Sequence, residues 1–453
     1  MGALSNYSSI SITRDTLASS RRGFGKPLLL SSTPDLVAAF GTDRVRTYAS
    51  YAEVVATFTS TTGPEAVFAA QAFGQEPHVE EIAIGRAALQ PTQVYTLTPN
   101  VLNSHAYTLR LGGDGVTTTP VTTTSDASAT ATEICDALRT LINAIVGKNF
   151  TATGTATIVI TANAAGEWFW VEQPDIADIT DWTLAQTHVD PGVATDLAAI
   201  AIADPDWYAL YTIYNSNAYA LAAAAWVQAN ERVYFFETNE TTSITTAVGN
   251  SETLDDFATL GYTRLYGVWH GFPVEMEAAA ETATLSYAPG AATFANKPVG
   301  TVWAGVTPND LTSTQRGRLT DRNANSYEPV GDTGLATTFN GTVASGEYLD
   351  VIRDLDFVKD DISKAVYDVL KANPKVPYTN AGIALIQATI LARLTAHVAM
   401  GIFAADPAPA VTVPLVADVS AADKAARRLT NVRFSATLAG AVHSVVVTGT
   451  VSI

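Results

Sequence analysis

The feature that most limits how this chain can fold is a change of texture near residue 91 that reverses near residue 195. Ahead of it, residues 28–30 read as an apolar strand, 48–58 and 64–74 as helices and 79–85 as a buried strand. That order calls for a layered βαβ arrangement. From 91 to 195 the chain becomes Thr-rich and alternating. It has turn chemistry at Gly112-Gly113-Asp114-Gly115, one helix over about 130–146, and aromatic strands around Trp168 to Val171. The α/β texture then resumes with a strand at 207–214, a helix at 216–229, a strand at 232–237, a helix at 252–259 and a strand at 262–268. A pattern that stops and resumes implies insertion. The expected class is a multi-domain α/β and α+β protein: an α/β domain in two segments, 21–90 and 196–300, holding an α+β domain at 91–195.

Residues 301–453 are expected to form a further, C-terminal domain. Thr312 followed by Gln315 fits a capping box that opens a helix to about Asn323. Tyr348, Val351, Ile352, Leu355, Val358, Ile362, Val366 and Val369 recur at helical spacing, and Pro374 and Pro377 end that helix. Asp350, Asp354 and Asp361 share the face opposite this stripe, which predicts a solvated or interfacial acidic face. Asp360 precedes Lys364 by one turn. A second helix is predicted over 380–402, with Ile383, Ile386, Ile390, Leu394 and Val398 inward. A short one, Ala421 to Arg428, is capped by Ser420. A hairpin pattern then runs through Val432, Phe434, Ala436 and Leu438 into Ala439-Gly440-Ala441.

Both ends of the chain alternate with period two. Ile10 and Ile12 lie on one side of a segment over 5–14, and Val445, Val447, Val451 and Ile453 on one side of the last segment. Such ends offer hydrogen-bonding edges, which suit either a strand of the same subunit or addition to a neighbour's sheet. The residue pattern alone leaves these two equal.

Little in the sequence points to catalysis. The formal charge of −18 argues against a nucleic-acid partner, since phosphate binding rests on clustered Lys and Arg. It is uneven: residues 1–263 carry 11 Lys and Arg against 27 Asp and Glu, and residues 264–453 carry 15 against 17. An acidic part beside a nearly neutral one suits an assembly. The six histidines are scattered without HExxH, and GxxxxGK[ST], GxGxxG and GxSxG are absent, so no metal, cofactor or nucleophile site is expected. Cys135, the one cysteine, falls in an amphipathic helix and reads as an inert packed thiol. The start of the chain lacks a signal-peptide or myristoylation pattern. No run is expected to reach the ~18 apolar residues of a bilayer span, which predicts a cytoplasmic product with no membrane insertion.

Ordered blocks in the last third decide between classes. Gly261-Tyr262-Thr263-Arg264 to Trp269-His270, Trp303 to Thr312, and Asn323-Ala324-Asn325-Ser326-Tyr327-Glu328-Pro329 come first. Then come Ala344 to Asp354, Asn373-Pro374-Lys375-Val376-Pro377-Tyr378-Thr379, Ala417 to Arg428, and Phe434 to His443. Together they resemble the contractile-tail sheath proteins of myophages, over about 190 residues; 91–195 carry no such likeness. The resemblance implies a structural, non-enzymatic virion subunit that stacks as hexameric rings in a helical sheath around a tail tube protein. Baseplate and tail terminator proteins would be its other partners, assembly would take place in the host cytoplasm, and contraction would drive the tube through the host envelope. It implies an N-terminal arm at 1–20 and a C-terminal arm that complete β-sheets of neighbouring subunits, which favours the inter-subunit reading of Ile10, Ile12, Val445, Val447, Val451 and Ile453. It also brings the segment Ser420 to Leu429 toward the tube. There Lys424, Arg427 and Arg428, three and four residues apart, are expected to share one helical face and make weak contacts to an acidic surface. The runner-up is a tail-associated envelope-degrading hydrolase, for which no paired-carboxylate or His-centred constellation stands out.

Overall fold

A computed structural model describes residues 23–445 and 448, apart from 115, 175–178, 250–252, 299–304 and 332–334. The first segment contributes β1 (Pro27–Ser31), α1 (Pro34–Phe40), β2 (Val45–Tyr48), α2 (Tyr51–Thr57), α3 (Pro64–Phe73) and β3 (Ile82–Arg86). Thr33 caps α1 by accepting from the Leu36 N–H, Pro34 opens its first turn, and Ser50 caps α2. β1 is buried at all five positions, Pro-Leu-Leu-Leu-Ser. Such an unbroken apolar run is what a parallel strand covered on both faces requires.

The inserted segment holds β4 (Val94–Pro99), β5 (Ala106–Gly113), β6 (Val116–Thr124), α4 (Ala131–Asn143), β7 (Phe150–Thr153), β8 (Ile158–Ala162), β9 (Phe169–Glu172) and β10 (Trp182–Gln186). Two antiparallel sheets, β10-β4-β8-β7 and β6-β5-β9, enclose a core of their own that includes Tyr95, Leu97, Tyr107, Leu138 and Phe169. Cys135 on α4 lies in that core, where burial pushes its thiol up to about 11. β9 and the residue before it join the two cores. Phe169 and Val171 point into the smaller core while Trp168 and Trp170 point into the larger, as period two dictates. Gly166, at φ +84, presses against the body here: a Cβ would meet the Ser32 carbonyl at 2.6 Å, and the Tyr214 hydroxyl donates to the Gly166 carbonyl at 2.7 Å.

The body resumes with α5 (Val193–Ala203), whose Val193, Leu197 and Ile200 belong to the larger core, so the expected boundary at 195 falls inside a helix. Next come β11 (Ala209–Thr212), α6 (Asn217–Ala229), β12 (Val233–Thr238), α7 (Thr242–Thr245), α8 (Thr253–Leu260), β13 (Leu265–Trp269) and α9 (Glu277–Glu281). The sheet has six strands in the order β13-β12-β11-β1-β3-β2, parallel except for the edge strand β2.

The last third supplies α10 (Ser313–Asp321), β14 (Ser326–Pro329), β15 (Ala336–Phe339), α11 (Leu349–Ala372), α12 (Asn380–Ala399), β16 (Ala410–Thr412), α13 (Ala421–Ala425) and β17 (Arg433–Ser435). Both halves of the Thr312–Gln315 capping box are present on α10. Contrary to expectation, 301–453 do not gather around a separate large core among the described residues. Leu319, Val343, Leu349, Phe357, Leu394 and Phe403 bury themselves in the core of the parallel sheet. A parallel bridge from Val268 to Asn325 extends that sheet into the C-terminal third.

Candidate assembly surface

Helices α11 and α12 form the frame of the surface. α11 has the predicted extent and buries part of the predicted face: Val358 is buried and Ile352, Ile362 and Val366 pack against the core, whereas Tyr348 and Leu355 are exposed. Arg353, Asp356 and Asp361 are buried as well. The acidic face expected to be solvated or interfacial contributes Asp354 and Asp361 to the anchoring, and Asp356 joins them. Asp356 takes the Arg264 guanidinium on both oxygens and the Tyr208 hydroxyl at 2.8 Å. Asp354 accepts the Gly290 N–H at 2.7 Å; its carboxyl is pushed up to about 6, chiefly by burial.

Asp361 accepts from Arg393 Nε at 2.6 Å and faces His397 Nε2 at 2.9 Å, which ties α11 to α12. Burial opposes its charge, but the hydrogen bond and charge of Arg393, aided by His397, hold it below the ordinary carboxylate range. Asp360 pairs with Lys364 at 2.6 Å, as the spacing predicted.

α12 corrects a second expectation: by length and composition, Asn380–Ala399 is apolar enough to cross a membrane, with a mean hydropathy of 1.4. Runs of Ala, Ile and Leu on every side, broken by few charges, produce that value. Here Ile383, Ile390 and Leu394 are buried, while Leu385 and Leu391 face out.

Beyond α12, β16 and β17 pair antiparallel with Val411 opposite Phe434, and no further strand flanks either among the described residues. The pair is largely exposed, Phe434 by half. The described partner of 433–435 is 410–412, and the last strand of the expected hairpin lies, beyond Val445, almost wholly outside the described residues. Phe434 still alternates as read, but β16 offers the same period two, and its position is fixed by α12 through the bond from Gln387 Nε2 to the Val411 carbonyl at 2.8 Å.

The chain then crosses back over its own body. Leu438 bridges Phe403, His443 Nε2 lies 2.8 Å from the Thr293 hydroxyl, and Asn296 donates to the His443 carbonyl. The His443 ring meets Tyr348 edge-on, with centroids 4.6 Å apart. Val445 follows, exposed and in no strand. Ile10, Ile12, Val447, Val451 and Ile453 lie outside the described residues.

The basic segment departs from its expected form. α13 ends at Ala425 and Arg427 sits at φ +53, so Lys424, Arg427 and Arg428 do not share a helical face. Arg428 folds back instead, donating to Asp423 Oδ1 through Nε and Nη2 at 3.1 and 2.7 Å. These bonds hold the Asp423 carboxyl below its ordinary range. Arg427 lines an apolar groove of about 370 Å³ with Val366, Leu370, Ile383, Ile386 and Leu429. Among the described residues no group of three or more His, Cys, Asp or Glu side chains has the geometry to hold a metal ion.

Residues 349–407, the hairpin and its exit, match the family described as E217 tail sheath protein gp31-like, C-terminal domain. Over those residues the chain is similar to a tail-sheath C-terminal domain. Its fold extends that likeness over nearly the whole length. A chain of the anti-feeding prophage baseplate, 6-fold symmetrised, aligns with TM-score 0.56 at 12% identity, covering 98% of this chain and 99% of that one. The contracted helical sheath of the same prophage gives 0.54 at 12% identity, covering 98% of each chain. The sheath tail protein Lin1278 from Listeria innocua gives 0.45 at 11% identity, covering 87% of this chain and 89% of that one. Among curated proteins no sequence match is significant.

In and around the last third, sequence reading missed β16, the Asp356–Arg264 anchor and the docking of His443. Only the alternation at Ala410–Thr412 offered a signal. The others join residues 92 and 150 positions apart.

Proposed function

We propose that this chain is the sheath subunit of a contractile phage-type tail, resident in the virion tail and assembled in the host cytoplasm as hexameric rings stacked helically around a tail tube. The observation that carries the reading is the exposed β16–β17 pair, set beside the matched sheath hairpin and left without a flanking strand among the described residues. An open edge of this kind accepts a strand through main-chain hydrogen bonds, with register set by alternate side chains. The donors are the terminal arms of neighbouring subunits, Ile10 and Ile12 at one end and Val445, Val447, Val451 and Ile453 at the other. His443 fixes the root of the C-terminal arm on its own protomer, so the arm starts from a defined point.

Lys424 and Arg427 face the tube from the loop side of the groove, while Arg428 is held by Asp423. Baseplate and terminator proteins cap the stack, and contraction drives the tube through the host envelope.

Negative-stain microscopy of the purified subunit tests the reading: long striated tubes are expected, and a chain ending at Val445 should remain dispersed. Parent protein that stays monomeric at high concentration, or tubes formed by the shortened chain, would overturn it.

A further inference from the structure

We propose that the joint between the inserted lobe and the parallel sheet is a seam held shut by protons, where carboxyls from the two sides meet and whose charging loosens the lobe. From the lobe comes Glu172, the last residue of β9, with Arg110 of β5 as its ion-pair partner. From the body come Glu237 near the end of β12, His270 just past β13, Glu275 in the turn before α9, and Glu277 and Glu281 on α9. The two sides sense each other: Glu275 strengthens and His270 weakens the hold of Glu172 on its proton.

Five carboxyls thus meet two cations, and Glu172, Glu237, Glu277 and Glu281 are each at most 2% exposed. Full ionisation would leave three negative charges uncompensated where water is largely excluded. His270 is engaged by Glu277 at 2.7 Å from Nδ1 and by Glu275 at 3.4 Å from Nε2. Glu281 accepts from the Tyr266 hydroxyl at 2.5 Å. Glu237 accepts the Ala278 N–H at 2.8 Å through one oxygen, and its Oε1 has no partner among the described residues. The same residue lines a cavity of about 20 Å³ in the joint, room for a single water, together with Tyr95 and Gln186 of the lobe and Tyr211 and Asn239 of the body.

Burial above all pushes Glu172 up to about 7 and Glu237 up to about 8. The hold of these two carboxyls on the joint is therefore whole below 4.5 and is lost as pH rises through 7 and then 8. Nothing else around them titrates in that window to offset the change. Tyr95, Tyr211 and Tyr266 stay neutral, pushed far up by burial, and His270 stays charged to about 10. Glu240 turns away to accept from Thr253, and beyond Glu277 lie Tyr327 and the Glu328–Arg316 pair. Trp168 and Trp170 remain packed in the larger core, so the lobe opens more often without coming away.

The seam needs no neighbouring subunit and stands apart from the sheath reading. Hydrogen exchange on the full chain before polymerisation, read by mass spectrometry with labelling times scaled for the intrinsic effect of pH, tests it. Two amides bond across the joint: Leu184 N–H to the Thr241 hydroxyl at 3.1 Å, and Thr241 N–H to the Leu184 carbonyl at 3.4 Å. Their protection should fall roughly tenfold or more between pH 6.5 and 9, since each unit of pKa shift is worth a factor of ten. Protection of α4 inside the lobe and of β1 inside the body should hold. In Glu172→Gln/Glu237→Gln, which keeps the side-chain volumes and cannot ionise, the joint should be as protected at pH 9 as the parent is at pH 6.5.

Unchanged protection of Leu184 and Thr241 across that range in the parent would overturn the proposal. So would an equal loss in α4 and β1, which means loosening of the whole chain, or a double variant that opens at pH 9 as the parent does. Should the double variant not fold, the profile of the parent decides alone.

Discussion

Glu237, at the end of β12, is fully desolvated beside Glu277, Glu281 and His270, and burial pushes its carboxyl up to about 8. Its contribution to stability is whole below the ordinary value of 4.5 and is lost as pH rises through 8. The loss is on the order of 5 kcal/mol for a shift from 4.5 to about 8. Glu237→Gln keeps an acceptor for the Ala278 N–H, now bonded at 2.8 Å, and cannot ionise. Scanning fluorimetry should therefore show equal melting temperatures for parent and variant at pH 5, and a variant several degrees more stable at pH 8.5. His270 is shifted in the same direction by a different cause. Burial disfavours its charge, yet Glu277 at 2.7 Å and Glu275 outweigh that and raise it to about 10. The sequence presented Trp269-His270 as an aromatic strand edge that packs, which it is. It gave no sign of the glutamates, because they arrive from β12, from α9 and from the turn before α9, and only the fold brings them to one point.

At the scale of elements, periodicity located helices well and marked their apolar faces, but missed the charged residues buried beside them. α11 was legible to within a residue or so, since Tyr348 to Val369 keep helical spacing and Pro374 stops the run. Which side goes inward depends on partners elsewhere in the chain, Arg264 for Asp356 and Arg393 for Asp361, and no local pattern encodes those. The same limit explains the hairpin: alternation at 433–435 specifies a strand but not its neighbour, and β16 lies more than twenty residues back. Asp361→Asn should then cost about 3 kcal/mol, the effect of stripping a buried ion pair of one partner. Urea unfolding followed by circular dichroism would measure it. Asp360→Asn, in a pair spaced one turn apart on the same helix, should cost well under 1 kcal/mol.

For the molecule as a whole, sequence texture marked a change of pattern within which a second core lies, and the asymmetry of charge, both of which summarise many residues and survive local error. It did not reveal that residues beyond 301 share the core of the parallel sheet, because apolar stripes say that a face is buried and not against what. The candidate surface was legible only as segments. Lys424, Arg427 and Arg428 were visible as a basic cluster, but the left-handed residue at Arg427 and the return of Arg428 to Asp423 depend on how α13 terminates. If Lys424 and Arg427 make the tube contact, Lys424→Glu with Arg427→Glu should leave empty sheath tubes intact by microscopy while abolishing co-sedimentation with purified tail tube. Arg428→Ala should change neither.

β9, with the tryptophan before it, has a practical consequence for anyone exchanging the inserted lobe for a foreign one. Since neighbouring side chains there serve opposite interiors, a one-residue deletion would swap indoles for Phe169 and Val171 in both at once. Grafts should spare Gly166 through Glu172 intact. A chimera cut inside that stretch is expected to appear in inclusion bodies, and one joined outside it in the supernatant.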